Sequence, residues 1–235
     1  MFLYERAFED CLDRIAIQQR RFERALLIGC PDGEWPSRMD AVANALDVRD
    51  PGPRFAAKAG GTVIIEDSFE PEQAAYDLVL SIGTLDTVND LRLALRLVRY
   101  AMRGDGLFIG AVAGGDTLPR LRAAMRAADR VCGTASPHVH PRIEAAALAP
   151  LLGEAGFTNP VVDLDRVPVS YRSFDRLVGD LRAMAATNIL LARPHFLGKA
   201  ARAAAAEAFA AAGDGERTLE TFEILHFAGW TPKEG

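Results

Sequence analysis

Apolar positions along the chain switch between two spacings. Residues 5–22 place Phe8, Cys11, Leu12 and Ile15 at helical intervals among arginines and acids, which predicts an amphipathic helix. Ala25–Ile28 is a short apolar run closed by turn residues, the pattern of a buried strand. Ser37–Leu46 reads as a helix. The stretch DVRDPGPRFAAKAGG beyond it carries two prolines and three glycines, so it reads mostly as loop, with a short strand near Leu46–Val48. Thr62–Ile65 is a β-branched strand that ends in Glu66-Asp67, and Asp77–Ile82 is a second buried run. Asn89–Met102 has leucines and a valine at helical spacing (Leu91, Leu95, Val98). Arg103–Gly106 reads as a turn into the strand Leu107–Val112.

The later chain predicts helices over Thr117–Cys132 and Glu144–Ala155, the second closed by Gly156. Val161–Tyr171 is extended and broken by Pro168. Helices over Ser173–Ala186 and His195–Ala212 follow, then a last strand over Thr218–Phe227. Strands alternating with helices imply a parallel sheet covered on both faces. The strand near residue 165 and the terminal strand suit an antiparallel edge on it.

Composition keeps the chain among soluble globular proteins: 235 residues, 49% hydrophobic and 25% charged, are enough to bury a core. A net charge of −5 argues against a general nucleic-acid binder. The arginines between Arg92 and Arg130 recur at helical spacing and read as a solvated face. The three cysteines, Cys11, Cys30 and Cys132, lack CxxC spacing, so neither a disulfide framework nor a zinc site is expected. The N-terminus MFLYERAFEDCLD lacks the apolar stretch of a secretory signal, and no apolar run is long enough to span a membrane. These features set the expectation of a cytoplasmic protein in a reducing compartment, with no membrane segment and no nucleic-acid partner.

Candidate chemistry begins at ALLIGCPDGEW, residues 25–35, where an apolar run enters a turn built on Gly29 and Gly33. Together with the acid after a later strand and the run DLVLSIGTLDTVNDLRLALRLVRYAMRGDGLFIGAV, this resembles the class I S-adenosylmethionine-dependent methyltransferases. The phrases GGDTLPRLRAA, SPHVHP, LLGEAGF, VDLDRVPVSY and FEILHFAGW, in that order over roughly residues 74–230, resemble one group within them. That group is the methyltransferase-like assembly factors of respiratory complex I, whose eukaryotic member is associated with arginine hydroxylation. The first third matches mainly through RFERALLIGC, and the malonyl-carrier methyltransferases are more distant relatives.

The resemblance implies a Rossmann-like α/β fold: a mostly parallel seven-stranded sheet with an antiparallel edge and helical insertions over 117–155 and 173–213. It implies one methyltransferase-like domain, with an N-terminal helix (1–24), a cofactor half (25–116) and a substrate or partner half (117–235). It implies S-adenosylmethionine as cofactor, or its loss, and an alternative role as an arginine hydroxylase or cofactor-free scaffold with a complex I subunit as client. Aligned on Gly29, the family's acid falls on Leu27 and its three glycines on Gly29, Pro31 and Gly33. Proline deletes an N–H that a carboxylate would use. Asp32 and Glu34 are nearby acids that would substitute in part for the missing one only if they turned inward. Asp47 and Asp50 are candidates for the ribose acid. Asp67 matches the position that contacts the adenine amine, and Ser81 and Gly83 match the cofactor-facing turn. No catalytic residue is assigned.

On the partner side stand Asp86, Asp116, His138, Tyr171 and Trp230. Asp116 or Thr117 also reads as the cap of the helix near Leu118. His138 and His140, two apart, lack a clear third ligand for a metal. Tyr171 and Trp230 equally suit aromatic anchors at strand ends. Where the complex I group has a His-Trp pair, this chain has Asp86-Thr87.

Overall fold

A computed structural model describes residues 2–190 and 196–233. Seven strands form one sheet: β1 (Phe22–Ile28), β2 (Ala43–Asp50), β3 (Thr62–Val63), β4 (Tyr76–Ile82), β5 (Met102–Ala113), β6 (Thr158–Tyr171) and β7 (Thr218–Trp230). Their order is β3-β2-β1-β4-β5-β7-β6. β1 pairs in parallel with β2 and β4, β4 with β5, and β2 with β3, while β7 runs antiparallel to β5 from Leu107↔Trp230 to Ala113↔Ile224. The expected fold is therefore the observed one. β4 (YDLVLSI) is buried at every position, as a central parallel strand requires. The strand order reverses between β1 and β4, and open α/β sheets place ligands at the C-terminal strand ends beside such a reversal.

Eight helices lie among the described residues: α1 (Phe2–Ile17), α2 (Trp35–Met39), α3 (Pro53–Lys58), α4 (Leu91–Ala101), α5 (Pro119–Cys132), α6 (Ala145–Glu154), α7 (Phe174–Ala183) and α8 (Lys199–Ala211). The chain divides into two compact units. One holds Phe2–Ala113, Ile143–Asp165 and Ile224 onward; the other holds Gly114–Arg142 and Arg166–Glu223. In the first, α4 starts at Asp90, whose carboxylate accepts from Leu93 N at 2.9 Å. Its face of Ala94, Leu95, Val98 and Ala101 enters a core with Phe108, Phe157 and Phe227. The Phe108 ring lies 5.0 Å from Phe157 and 4.9 Å from Phe227. In the second, α5 packs on α8, and Phe174 of α7 meets Phe209 of α8 at 6.1 Å.

Several boundaries differ from the sequence reading. The first helix stops at Ile17, and Phe22 opens β1. The helix expected over Ser37–Leu46 is only α2, and Ala43–Asp50 is strand. Six residues of β1, Phe22 and Arg24 to Ile28, pair with it, and this tertiary pairing overrides the helical preference of ANAL. The supposed loop after it contains α3. Arg103–Gly106 is not a turn between elements but an irregularity within β5, where the register to β4 shifts between Tyr76 and Leu78. Pro168 does not break β6, because β6 is the sheet's edge and an edge strand tolerates a missing N–H. His195 lies outside the described residues, and the helix assigned to it starts at Lys199.

Candidate functional site

The loop after β1 keeps the shape of a ligand-binding turn. Gly29 has φ +83°, and a Cβ there would lie 2.2 Å from Ile82 O and 2.7 Å from Thr84 Cγ2, so only glycine fits between the ends of β1 and β4. At Gly33 a Cβ would meet Lys58 O at 2.8 Å. Leu27, at the expected acid position, is fully buried within the strand. Neither nearby acid replaces it. Asp32 accepts from Glu34 N at 3.1 Å and pairs with Lys58 Nζ at 3.3 Å, and both interactions hold its carboxyl below the usual range. Glu34 is exposed. Cys30 is buried, and burial pushes its thiol up to about 12, so it is no nucleophile.

The ends of the next strands carry acids. Asp50 closes β2; its Oδ2 accepts from Cys30 N at 2.7 Å and its Oδ1 from Gly52 N at 2.6 Å. Asp47, the other ribose candidate, instead accepts from the Tyr76 hydroxyl at 2.7 Å and pairs with Arg24 at 2.8 Å. Beyond β3, Asp67 accepts from Asp90 N at 3.0 Å and so braces the entry to α4. Its neighbour Glu66 is the buried acid, 5% exposed, with Thr84 beside it and no partner for Oε1. Burial raises the carboxyls of both Asp50 and Glu66. Ser81, on the end of β4, is fully buried, and its Oγ has no partner either. Gly83 has φ +66°, and the Tyr4 ring of α1 covers it: a Cβ would meet Tyr4 Cε1 at 2.4 Å. Helix α1 is latched to the loop through Trp35, which stacks on Phe8 at 4.1 Å. The structure thus gathers Gly29, Ser81 and Gly83 at the strand reversal, and adds Asp50, Glu66 and Tyr4. Asp67 Oδ2 serves Asp90 N. The signal for Glu66 was its place in Glu66-Asp67 at a strand end, where period alone does not say which acid faces in.

The partner-side candidates sit on different elements. Asp86 sits in a short 3-10 turn after β4. Asp116 is exposed; its carboxylate meets Arg166 at 3.4 Å, and Arg166 also holds the buried Glu223 at 3.3 Å. Neither Asp116 nor Thr117 caps α5. Leu118 stands at the cap with φ +63° and no side-chain bond, and the buried Glu220 accepts from Leu121 N at 2.8 Å and Arg120 N at 3.2 Å. Thr117 instead bonds the Glu223 backbone both ways, at 2.9 and 3.0 Å. Sequence reasoning missed Glu220 and Glu223, two acids inside a strand otherwise rich in apolar residues. His138 Nε2 meets Asp129 Oδ1 of α5 at 2.7 Å, while His140 Nε2 accepts from Ile189 N at 3.0 Å, so the two histidines serve separate contacts. Tyr171 is buried beside Asp180, and burial raises its hydroxyl. Trp230 ends β7 opposite Leu107. No group of three metal-ligating side chains occurs among the described residues.

A parallel sheet reversing between β1 and β4, an antiparallel edge, a glycine turn after β1 and acids ending the next strands define a class I methyltransferase fold. Residues 3–161 match the family model described as a methyltransferase domain, and the chain belongs to that family. It is similar to the mouse protein named arginine-hydroxylase NDUFAF5, mitochondrial, at 32% identity over 97% of this chain and 70% of that one. Among solved structures it is similar to the YcgJ protein of Bacillus subtilis (TM-score 0.64, 13% identity, 94% and 97% of the two chains). It is also similar to a Haemonchus contortus phosphoethanolamine N-methyltransferase 2 in complex with S-adenosylhomocysteine (TM-score 0.59, 12% identity, 96% of this chain and 52% of that one).

The comparisons correct the expectation of a cytoplasmic protein. The mouse relative and its zebrafish and human counterparts are named mitochondrial, which points to mitochondrial rather than cytoplasmic localisation. The expectation rests on cysteine usage and on the lack of a secretory signal and of a membrane-length apolar run, none of which distinguishes these compartments. Among the described residues no helix is long and apolar enough to cross a membrane.

Proposed function

We propose that the chain is an S-adenosylmethionine-dependent methyltransferase-like protein with a degenerate cofactor motif, built as one domain over residues 1–235. The supporting observation is a pair of buried polar atoms without protein partners, Glu66 Oε1 and Ser81 Oγ, at the C-terminal ends of β3 and β4. A buried polar atom left unpaired costs roughly 1–3 kcal/mol, and a ligand's polar groups would remove that cost. The nucleoside end of the cofactor therefore fits these residues. Gly29 would let the backbone approach it, Asp50 and Glu66 would receive its donors, and Ser81 and Gly83 would form its floor. When bound, the cofactor supplies an electrophilic methyl group. The chain's part is to hold and align it against an acceptor, which needs no dedicated base.

A second reading is favoured by Leu27 and Pro31 in the first motif and by the named arginine-hydroxylase relative. In it the chain does not methylate. It serves a respiratory complex I subunit, as an arginine hydroxylase or as a cofactor-free scaffold, with the exposed Asp116 as the candidate contact with the client.

Calorimetric titration with S-adenosylmethionine and S-adenosylhomocysteine separates the two. Micromolar binding supports the first reading. No heat up to millimolar ligand removes it and leaves the scaffold, to be tested by pull-down of complex I subunits.

A further inference from the structure

The two ends of the loop after β1 are unequal. On the side where an amino-acid tail would be gripped, the strand offers the buried Leu27, and the turn offers Pro31, which has no N–H. Asp32 is committed to Glu34 N and Lys58, and Glu34 faces solvent. Trp35, 1% exposed, fills the space beyond the turn and stacks on Phe8. No carboxylate and few free N–H groups remain for an ammonium and a carboxylate. On the other side, the ends of β2, β3 and β4 offer Asp50, Glu66 and Ser81, all buried, and two of these carry an atom with no partner.

We propose that this site selects the nucleoside part of its ligand through Glu66 and Ser81 and has no grip on an amino-acid tail. The inference rests on the reading above that these strand ends take an adenosyl ligand. It assigns to Glu66, the buried acid of the pair, the role that the sequence pattern gave to Asp67, which is not buried and whose Oδ2 accepts from Asp90 N. A ligand with donors at its sugar or base edge matches Glu66 Oε1, and one with an acceptor or donor matches the Ser81 hydroxyl. A zwitterionic tail matches nothing that the loop presents.

The test is calorimetry on the full chain with three probes: adenosine, S-adenosylhomocysteine and methionine. The wild type should bind the two nucleosides with affinities within about threefold of each other and show no heat with methionine. Glu66→Gln should weaken both nucleosides by about tenfold or more, as expected for loss of a hydrogen bond to a charged group, whereas Asp67→Asn should leave them unchanged. Ser81→Ala gives the same comparison should Glu66→Gln fail to fold. Melting of the ligand-free variants adds a second readout. With Oε1 unpartnered, Glu66→Gln should melt at or above the wild-type temperature. A lower melting temperature with unchanged nucleoside affinity would show that Glu66 is merely structural and would overturn the proposal. So would S-adenosylhomocysteine binding more than about tenfold tighter than adenosine, since the tail would then be gripped while the adenosyl reading stood. Absence of binding by either nucleoside would remove that reading and this inference with it.

Discussion

The Glu5 carboxylate of α1 accepts from the Trp35 indole N–H at 2.8 Å and also pairs with Arg38. One acid at the start of the chain thereby fixes the turn of helix that follows the cofactor loop. Phe8 stacks on the same indole, and the Arg38 guanidinium lies 4.9 Å from the Phe8 ring, so α1 and α2 share one small aromatic and ionic contact. α2 is only five residues long and cannot hold itself in place.

The first prediction follows from that contact. Glu5→Ala should cost about 1 kcal/mol, because it leaves an indole N–H and an arginine without their partner; partial exposure of Glu5 keeps the cost low. Trp35→Ala removes a fully buried ring and should cost about 3–5 kcal/mol. Urea unfolding followed by far-UV circular dichroism measures both. A Glu5→Ala midpoint equal to the wild type would show that the latch contributes nothing.

Helix α5 supplies the second. Its first free N–H groups are held by Glu220, a carboxylate with no exposed surface that lies far along the chain. Glu220→Ala should destabilise by about 2 kcal/mol, the upper range for a lost cap, and should speed amide exchange in the first turn of α5. Thr117→Val tests the rejected capping role. It should spare that turn and loosen the Glu223 backbone instead. Equal exchange in the first turn for both variants would contradict the assignment.

Some of this architecture was legible in the residues and some was not. DLVLSI announced a strand buried on both faces, and the spacing of Leu91, Leu95 and Val98 announced α4, because both signals are local. β2 was legible only over Leu46–Val48; its first residues suit a helix, and only pairing with β1 decides for strand. The cap of α5 was hidden for a similar reason: Glu220 is an acid in a strand until the fold brings it to the helix. At the site, the glycine turn and Ser81 were visible from motif and strand end. That Glu66 rather than Asp67 is the buried acid was not, because it depends on how the chain leaves β3.

A pH dependence forms the third prediction. Burial of His226 on β7 and of His140 lowers both imidazoles from their ordinary value near 6.5. His226 faces Asp10 at 3.0 Å, with Arg14, Asp163 and Asp165 near, and its net shift is still downward. A lowered folded value means that the unfolded chain binds more protons just below pH 6.5. Stability therefore rises with pH through that window and is lost as pH falls below it. The urea midpoint should drop on acidification from about pH 7 to pH 5, and replacing both histidines with glutamine should flatten that limb. An unchanged slope in the double variant would place the acid sensitivity elsewhere.

A last prediction separates the client reading from mere stability at Asp116. Its side chain is 70% exposed, and its contact with Arg166 is a surface pair, so Asp116→Ala should change stability by no more than about 0.5 kcal/mol. Arg166→Ala is different. It strips the guanidinium from Glu223, whose side chain is 2% exposed, and leaves that carboxylate only the Asp116 N–H at 3.4 Å; the cost should reach about 2 kcal/mol. If Asp116 faces a protein client, Asp116→Ala should impair complex I activity in a complemented deletion strain while melting like the wild type. Gly29→Ala is no control for cofactor loss in that assay, because its Cβ would clash with the Ile82 carbonyl and unfold the turn. Ser81→Ala, which removes one unpartnered hydroxyl and little volume, is the informative comparison. Should it abolish complementation while Asp116→Ala does not, the cofactor side would be what the protein needs. The reverse result would locate its function on the exposed loop after β5.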